Sequence, residues 1–437
     1  MSKRSDRTRD GFWDDTQPSD QEGDGRTSEE LDELDALDMD PFAPKSVEET
    51  GKKGGQPSED VEAASISRSV SNEDPDVTKV WKEPANVDCK ELVRRYNRLI
   101  DEDCLYGTTH HELKERIGQG GQGVVFLSER CGADGFRLPV AIKIFKPNDY
   151  CDQQRYEESM SRIAKMTSLV AQIQQDNLID VHNWAERDRI RLMEMEWVDG
   201  FDIRRLLNLS MFQALRIRTS TSRYKYWTEV VAEPGPDQSQ FKPGVAIAVI
   251  RDCLAALAAL HREGIVHGDV KPANIMLKKT GNAKLIDIGS AYELNDPPPH
   301  RTCTPAYAAP ESMADGVVTA RSDLAGLGYV LIEMMSGVRW LDGCRTKDEL
   351  LEAKLQLPQR LPDLLPEEVQ SSKLLMEFCR RLVAPNPEDR FPDAEQADLE
   401  ETGAAAFHRQ LIEVDLASEY PSELRNWLAD LSGPEEG

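Results

Sequence analysis

The apolar positions change period along the chain. Leu92, Val93, Tyr96, Leu99 and Ile100 fall on one face of a helix, and Asp88 and Glu91 stand ahead of them at capping-box spacing. Residues 113–145 read as strands, about 155–175 as an amphipathic helix, and 178–181 and 191–198 as further strands. Beyond Gly200 helical spacing dominates to about Ala397, and 404–431 offers one or two short helices broken at Pro421. A small β-rich lobe followed by a larger helical one predicts an α+β, bilobal fold with one cleft between the lobes.

Residues 1–84 differ in kind. They are rich in Asp, Glu, Ser, Gly and Pro and poor in large apolar side chains, so too little surface is available to offset chain entropy, and a disordered acidic tail is expected. Within it, 31–42 (LDELDALDMDPF) alternates acids with Leu, Met and Phe, the pattern of either a solvated spacer or a segment that folds on a partner.

Charge and cysteines narrow the class. The 437 residues carry 53 basic and 79 acidic side chains, a net charge of -26, which disfavours nucleic acid as partner because phosphate binding needs clustered Lys and Arg. The 8 cysteines show no CxxC pair and no zinc-like spacing, as expected of reduced thiols. The N-terminus lacks the apolar core of a signal peptide, and the most apolar run, 245–260, is interrupted by Arg251 and Asp252 and too short to span a bilayer. A cytoplasmic protein without a membrane partner is therefore expected.

The chemistry is concentrated in ordered motifs. GQGGQGVV at 118–125 (Gly118, Gln119, Gly120, Gly121, Gln122, Gly123, Val124, Val125) lets backbone approach phosphate oxygens without intervening Cβ atoms. Taken alone it also fits a dinucleotide-binding turn. Such a turn opens into a helix, however, whereas here strand residues follow, with VAIK at 140–143 downstream. Asp269, Lys271 and Asn274 lie in VHGDVKPANIML (266–277), Asp287-Ile-Gly289 follows, and Ala309-Pro-Glu311 closes the segment between.

In this order the motifs resemble those of eukaryotic-like (Hanks-type) serine/threonine protein kinases, over about 107–397, with an N-lobe at 107–195, a hinge at 196–201 and a C-lobe at 202–397. The flanks, an amphipathic helix or linker at 85–106 and a helical extension at 398–437, resemble nothing nameable. The resemblance implies ATP and Mg²⁺. Gly118 to Gly123, Val125 and Ala141 would surround the nucleotide, and Lys143 would hold its α and β phosphates. Glu158, or else Glu157, would be the helix carboxylate that fixes Lys143. Asp287 and Asn274 would hold the metal, Asp269 would orient the acceptor hydroxyl and take its proton, and Lys271 would meet the γ-phosphate. Met195 would be the gatekeeper, the Glu196 carbonyl and Val198 amide would meet adenine, and Asp202 the ribose. Asp323 would brace the catalytic loop, and Glu311 would pair with Arg390.

Two departures bear on function. Gly268 stands where many such kinases have an arginine that meets a phosphorylated activation segment. A glycine there also occurs in aminoglycoside and choline phosphotransferases, but those usually lack both the Lys two residues after the Asp and the APE-closed segment. A pseudokinase scaffold usually lacks the metal acid, the catalytic acid or the strand lysine. Thr302 is the expected phospho-acceptor of the segment and Thr304 the platform threonine. Last, 207–243 is longer than usual and holds RIRTSTSRYKYW (216–227), a basic and aromatic patch read as a solvated insertion or as a contact for an acidic substrate or the acidic tail.

Overall fold

The computed structural model describes residues 90–102, 104–106, 110–150, 152–298, 303–314, 316–413 and 420–432. The expected acidic tail, the 31–42 segment, the Asp88 cap and Thr302 lie outside them.

Helix α1 (Lys90–Ile100) buries Leu92, Tyr96 and Leu99. An antiparallel sheet follows, from β1 (Cys104–Tyr106), β2 (His110–Gly120), β3 (Gly123–Cys131) and β4 (Arg137–Phe145); after helix α2 (Gln153–Val170) come β5 (Val181–Arg187) and β6 (Ile190–Glu196), giving the order β1-β2-β3-β4-β6-β5. The β2–β3 hairpin turns at Gly121 and Gln122, between the paired Gly120 and Gly123. A side chain at Gly123 would put its Cβ 2.0 Å from the Ile144 carbonyl oxygen of β4, so only glycine lets the hairpin lie this close to the next strand.

The second lobe opens with β7 (Gly200–Asp202), α3 (Ile203–Leu207), α4 (Ser210–Arg218), α5 (Thr221–Val230) and a small hairpin of β8 (Ala232–Pro234) and β9 (Ser239–Phe241). Its axis is α6 (Pro243–Arg262), with Pro243 in its first turn, where a missing N–H costs nothing. Cleft strands β10 (Ile265–Val266), β11 (Ile275–Lys278), β12 (Ala283–Leu285) and β13 (Tyr292–Glu293) precede α7 (Pro310–Ala314), α8 (Ala320–Ser336), α9 (Lys347–Leu364), α10 (Glu367–Ser371), α11 (Lys373–Leu382), α12 (Ala394–Leu399), α13 (Ala404–Glu413) and α14 (Tyr420–Ser432). Strand β11 pairs antiparallel with β12 on one side and β7 on the other, tying the stretch after Asn274 to residues 200–202.

Several expectations are corrected. The strand read at 178–181 begins only at Val181; Leu178 makes a single bridge to Leu285. The apolar run 245–260 belongs to a helix of 20 residues, long and apolar enough by composition to cross a membrane, yet 78% of its apolar window is buried inside the protein. Pro421 occupies the first turn of α14, so it starts that helix instead of breaking it.

The 207–243 segment is folded. Trp227 Nε1 donates to Asp430 Oδ2 at 2.7 Å, Arg223 pairs with the same carboxylate, and Tyr226 donates to Glu423 at 2.9 Å. Trp427 packs edge-on against Phe241 with centroids 5.9 Å apart. The acids that meet Arg223, Tyr226 and Trp227 therefore come from α14 of the same chain.

Candidate active site

Between the lobes, Lys143 of β4 sits opposite Met193 of β6, and Ala141 opposite Met195. Lys143 is only 4% exposed, and its Nζ donates to Asp287 Oδ1 at 2.6 Å and Gln122 Oε1 at 2.7 Å. Burial pushes the Asp287 carboxyl up, but the Lys143 charge, its hydrogen bond and the Gly289 amide outweigh that and bring the pKa down to about 2. Asp287 is thus an anion at any physiological pH. The structure does not bring Glu158 to Lys143: Glu158 accepts from Gln154 at 2.9 Å on the exposed face of α2. Glu157 is held by Arg189 at 2.7 Å.

The hinge follows β6. Met195 and Val198 are buried, and the Glu196 carboxylate accepts from the Asp180 amide at 2.8 Å and from Lys284, a lysine buried in β12. Asp202 spends one oxygen as the cap of α3, accepting from the Arg205 amide at 2.9 Å.

The stretch around Asp269 hangs from α8. Asp323 is 3% exposed and accepts from the His267 and Gly268 amides, each at 2.8 Å, and it meets His261 at 3.0 Å. Gly268 has φ 75°, a left-handed conformation that glycine adopts without strain, and a Cβ there would lie 3.0 Å from the Ser290 carbonyl oxygen. The turn therefore has a backbone reason for glycine that is independent of any lost arginine.

Asp269 is fixed from both oxygens. Thr304 donates to Oδ1 through its hydroxyl at 2.7 Å and its amide at 3.1 Å, while Asn274 Nδ2 reaches Oδ2 at 3.2 Å. Lys271 Nζ lies 2.9 Å from Thr304 Oγ1 and 3.3 Å from Asp269 Oδ2. With its Nδ2 turned to Asp269, Asn274 keeps Oδ1 as a ligand oxygen. Together with the ionised Asp287 this gives hard oxygen donors that fit a hard divalent cation such as Mg²⁺.

The segment around Thr304 rests on two buried basic side chains. Arg390 is 2% exposed and pairs bidentately with Glu311 at 2.8 and 2.9 Å. Lys354 of α9 is fully buried, and its Nζ donates at 2.6 Å to both the Pro305 and Ala308 carbonyls, with the Tyr329 ring 5.1 Å away. Its position on the apolar face, in line with Leu350, Leu357 and Leu361, is a signal legible in the helical spacing and independent of the motifs.

Burial pushes the Lys354 pKa from an ordinary 10.5 down to about 7, against small opposing pulls from Cys303, Cys344 and Glu311. Between those values the unfolded chain binds a proton that the fold does not. Lys354 therefore makes stability rise with pH from about 7 to 10.5. Urea unfolding of wild type and Lys354→Met at pH 6.5 and 9.5 should show the wild type gaining on the variant as pH rises; an equal gap at both pH values would contradict the assignment.

The described motifs coincide with matches to known proteins. A family model described as a protein kinase domain matches residues 111–398. Among curated relatives, the serine/threonine-protein kinase PknD of Mycobacterium tuberculosis is 28% identical over 289 residues, 65% of this chain and 38% of that protein. PkaA of Streptomyces coelicolor is 29% identical over 298 residues (65% and 48%), and PrkC of Bacillus subtilis 26% over 304 (68% and 40%). The chain thus spans less than half the length of these relatives. With the family model covering well over half of its residues, the chain belongs to the protein kinase family.

Proposed function

We propose that the protein is a serine/threonine kinase that moves the γ-phosphate of ATP to protein hydroxyls. The observation that carries this reading is the direct bond between Asp269 and Thr304, which joins the catalytic acid to the segment that closes at Ala309-Pro-Glu311. A phosphotransferase for small molecules has no need of such a peptide platform. The curated relatives, all named serine/threonine-protein kinases, support the same choice of acceptor.

The site divides the work among its own residues. Thr304 and Asn274 hold the Asp269 carboxylate still; it orients the acceptor hydroxyl and takes its proton as the oxygen attacks Pγ. The bond from Pγ to the bridging oxygen breaks and ADP departs, with Lys143 on the α and β phosphates and Lys271 on the transferring group. Asp287 and Asn274 would hold Mg²⁺, which neutralises phosphate charge when bound.

The test incubates the full chain with labelled ATP and Mg²⁺, offering a generic protein and an aminoglycoside panel side by side. Label on protein, lost in Asp287→Asn, is the expected result; label on an aminoglycoside overturns the reading.

The glycine at 268 refines the proposal. Without a cation at this position the activation segment lacks one anchor for a phosphate, so activity should depend little on phosphorylation there. Thr302→Ala should accordingly reduce peptide phosphorylation far less than Asp269→Asn, as initial rates will show.

A further inference from the structure

Lys143 ends a flexible four-carbon chain, and its charge is useful only if something fixes it in place. Its Nζ donates to Asp287 Oδ1 and Gln122 Oε1. No acid of α2 is a partner, since Glu157 is engaged by Gln153 and Arg189, and Glu158 by Gln154 on the exposed side. The α2 side chains that line the cavity of about 110 Å³ behind the glycine-rich hairpin include Ser159, Arg162, Ile163 and Met166. Their spacing is that of one helical face, and that face carries no carboxylate.

We propose that Gln122, at the turn of the hairpin, is the positioning residue for Lys143 and takes the part that a helix carboxylate would otherwise play. The inference rests on reading this cleft as the ATP site.

Three features give it content. Gln122 Nε2 reaches Ser290 Oγ at 3.4 Å, so one side chain links the hairpin, Lys143 and the segment after Asp287. At Gly289 a Cβ would lie 2.1 Å from Gln122 Oε1, so any larger residue there would push the amide off Lys143. An amide is also neutral, so it orients the ammonium without cancelling the charge meant for the phosphates. Placement of Lys143 and closure of the hairpin over the nucleotide become one event.

The test measures affinity for a fluorescent ATP analogue with Mg²⁺, together with kcat and KM. Gln122→Leu replaces the amide with a shorter apolar side chain and so removes the acceptor. It should weaken nucleotide binding and lower kcat/KM for ATP by about tenfold to a hundredfold, leaving KM for the protein acceptor unchanged. Gln122→Glu, which restores an acceptor oxygen, should recover most of the loss. In a Lys143→Met background, Gln122→Leu should cost less than about twofold, because a residue that acts through Lys143 has nothing left to position. Additive losses in the double variant, or a loss from Glu158→Gln equal to that from Gln122→Leu, would overturn the proposal. If wild type binds nucleotide without labelling protein, the kinase reading fails while the coupling is still measured. If it labels protein and the losses add, only the Gln122 assignment fails.

Discussion

Asp269→Asn should lower kcat by about a hundredfold to ten-thousandfold while leaving the melting temperature nearly unchanged. An asparagine keeps an oxygen for the two Thr304 donors that reach Oδ1 at 2.7 and 3.1 Å and gives up only the longer contacts of Oδ2 with Asn274 and Lys271, at 3.2 and 3.3 Å, so the loop keeps its main anchor. It cannot take the acceptor's proton, and the loss should appear in kcat with KM for ATP little altered. A variant that melts well below wild type, or keeps a tenth of its kcat, would show that Asp269 serves the fold and not the transfer.

The largest effect on stability is expected at the ion pair beneath the peptide platform. Arg390 Nη1 and Nη2 pair with Glu311, and the same guanidinium donates to the Ala384, Arg321 and Pro385 carbonyls. Glu311 accepts in addition from Ser322 at 2.8 Å. Taking away the Glu311 charge leaves a buried guanidinium without its counter-ion, at a cost of about 3–5 kcal/mol. Glu311→Gln should therefore shift the urea midpoint strongly downward at unchanged slope, and a shift worth under about 1 kcal/mol would place the pair among weak surface bridges.

The lobes and their order were legible because the apolar runs differ in length: β4 buries a short run from Val140 to Phe145, whereas α6 buries most of its 20 residues. The motif residues were legible because the spacing between Asp269, Lys271 and Asn274 is set by one short backbone turn. The partner of Lys143 was not. Both Glu157 and Glu158 sit on the correct helix, but the rotation of α2 is fixed by Tyr156, whose hydroxyl donates to the Phe145 carbonyl at 3.2 Å and accepts from the Arg191 amide at 3.0 Å. Those contacts are long-range, and no local pattern announces them. For the same reason the basic patch at 216–227 read as a solvated insertion or as a contact for an acidic substrate or the tail, since Glu423 and Asp430 lie some two hundred residues further along the chain.

That last arrangement changes what the patch can recruit. Arg223 and Trp227 share the Asp430 carboxylate, and Tyr226 holds Glu423. An acidic peptide approaching from solution would compete with carboxylates tethered to the same chain, at an effective concentration of about millimolar. A weak ligand would be excluded at cellular concentrations. The helix α14 is therefore a threshold for such a ligand as well as a brace.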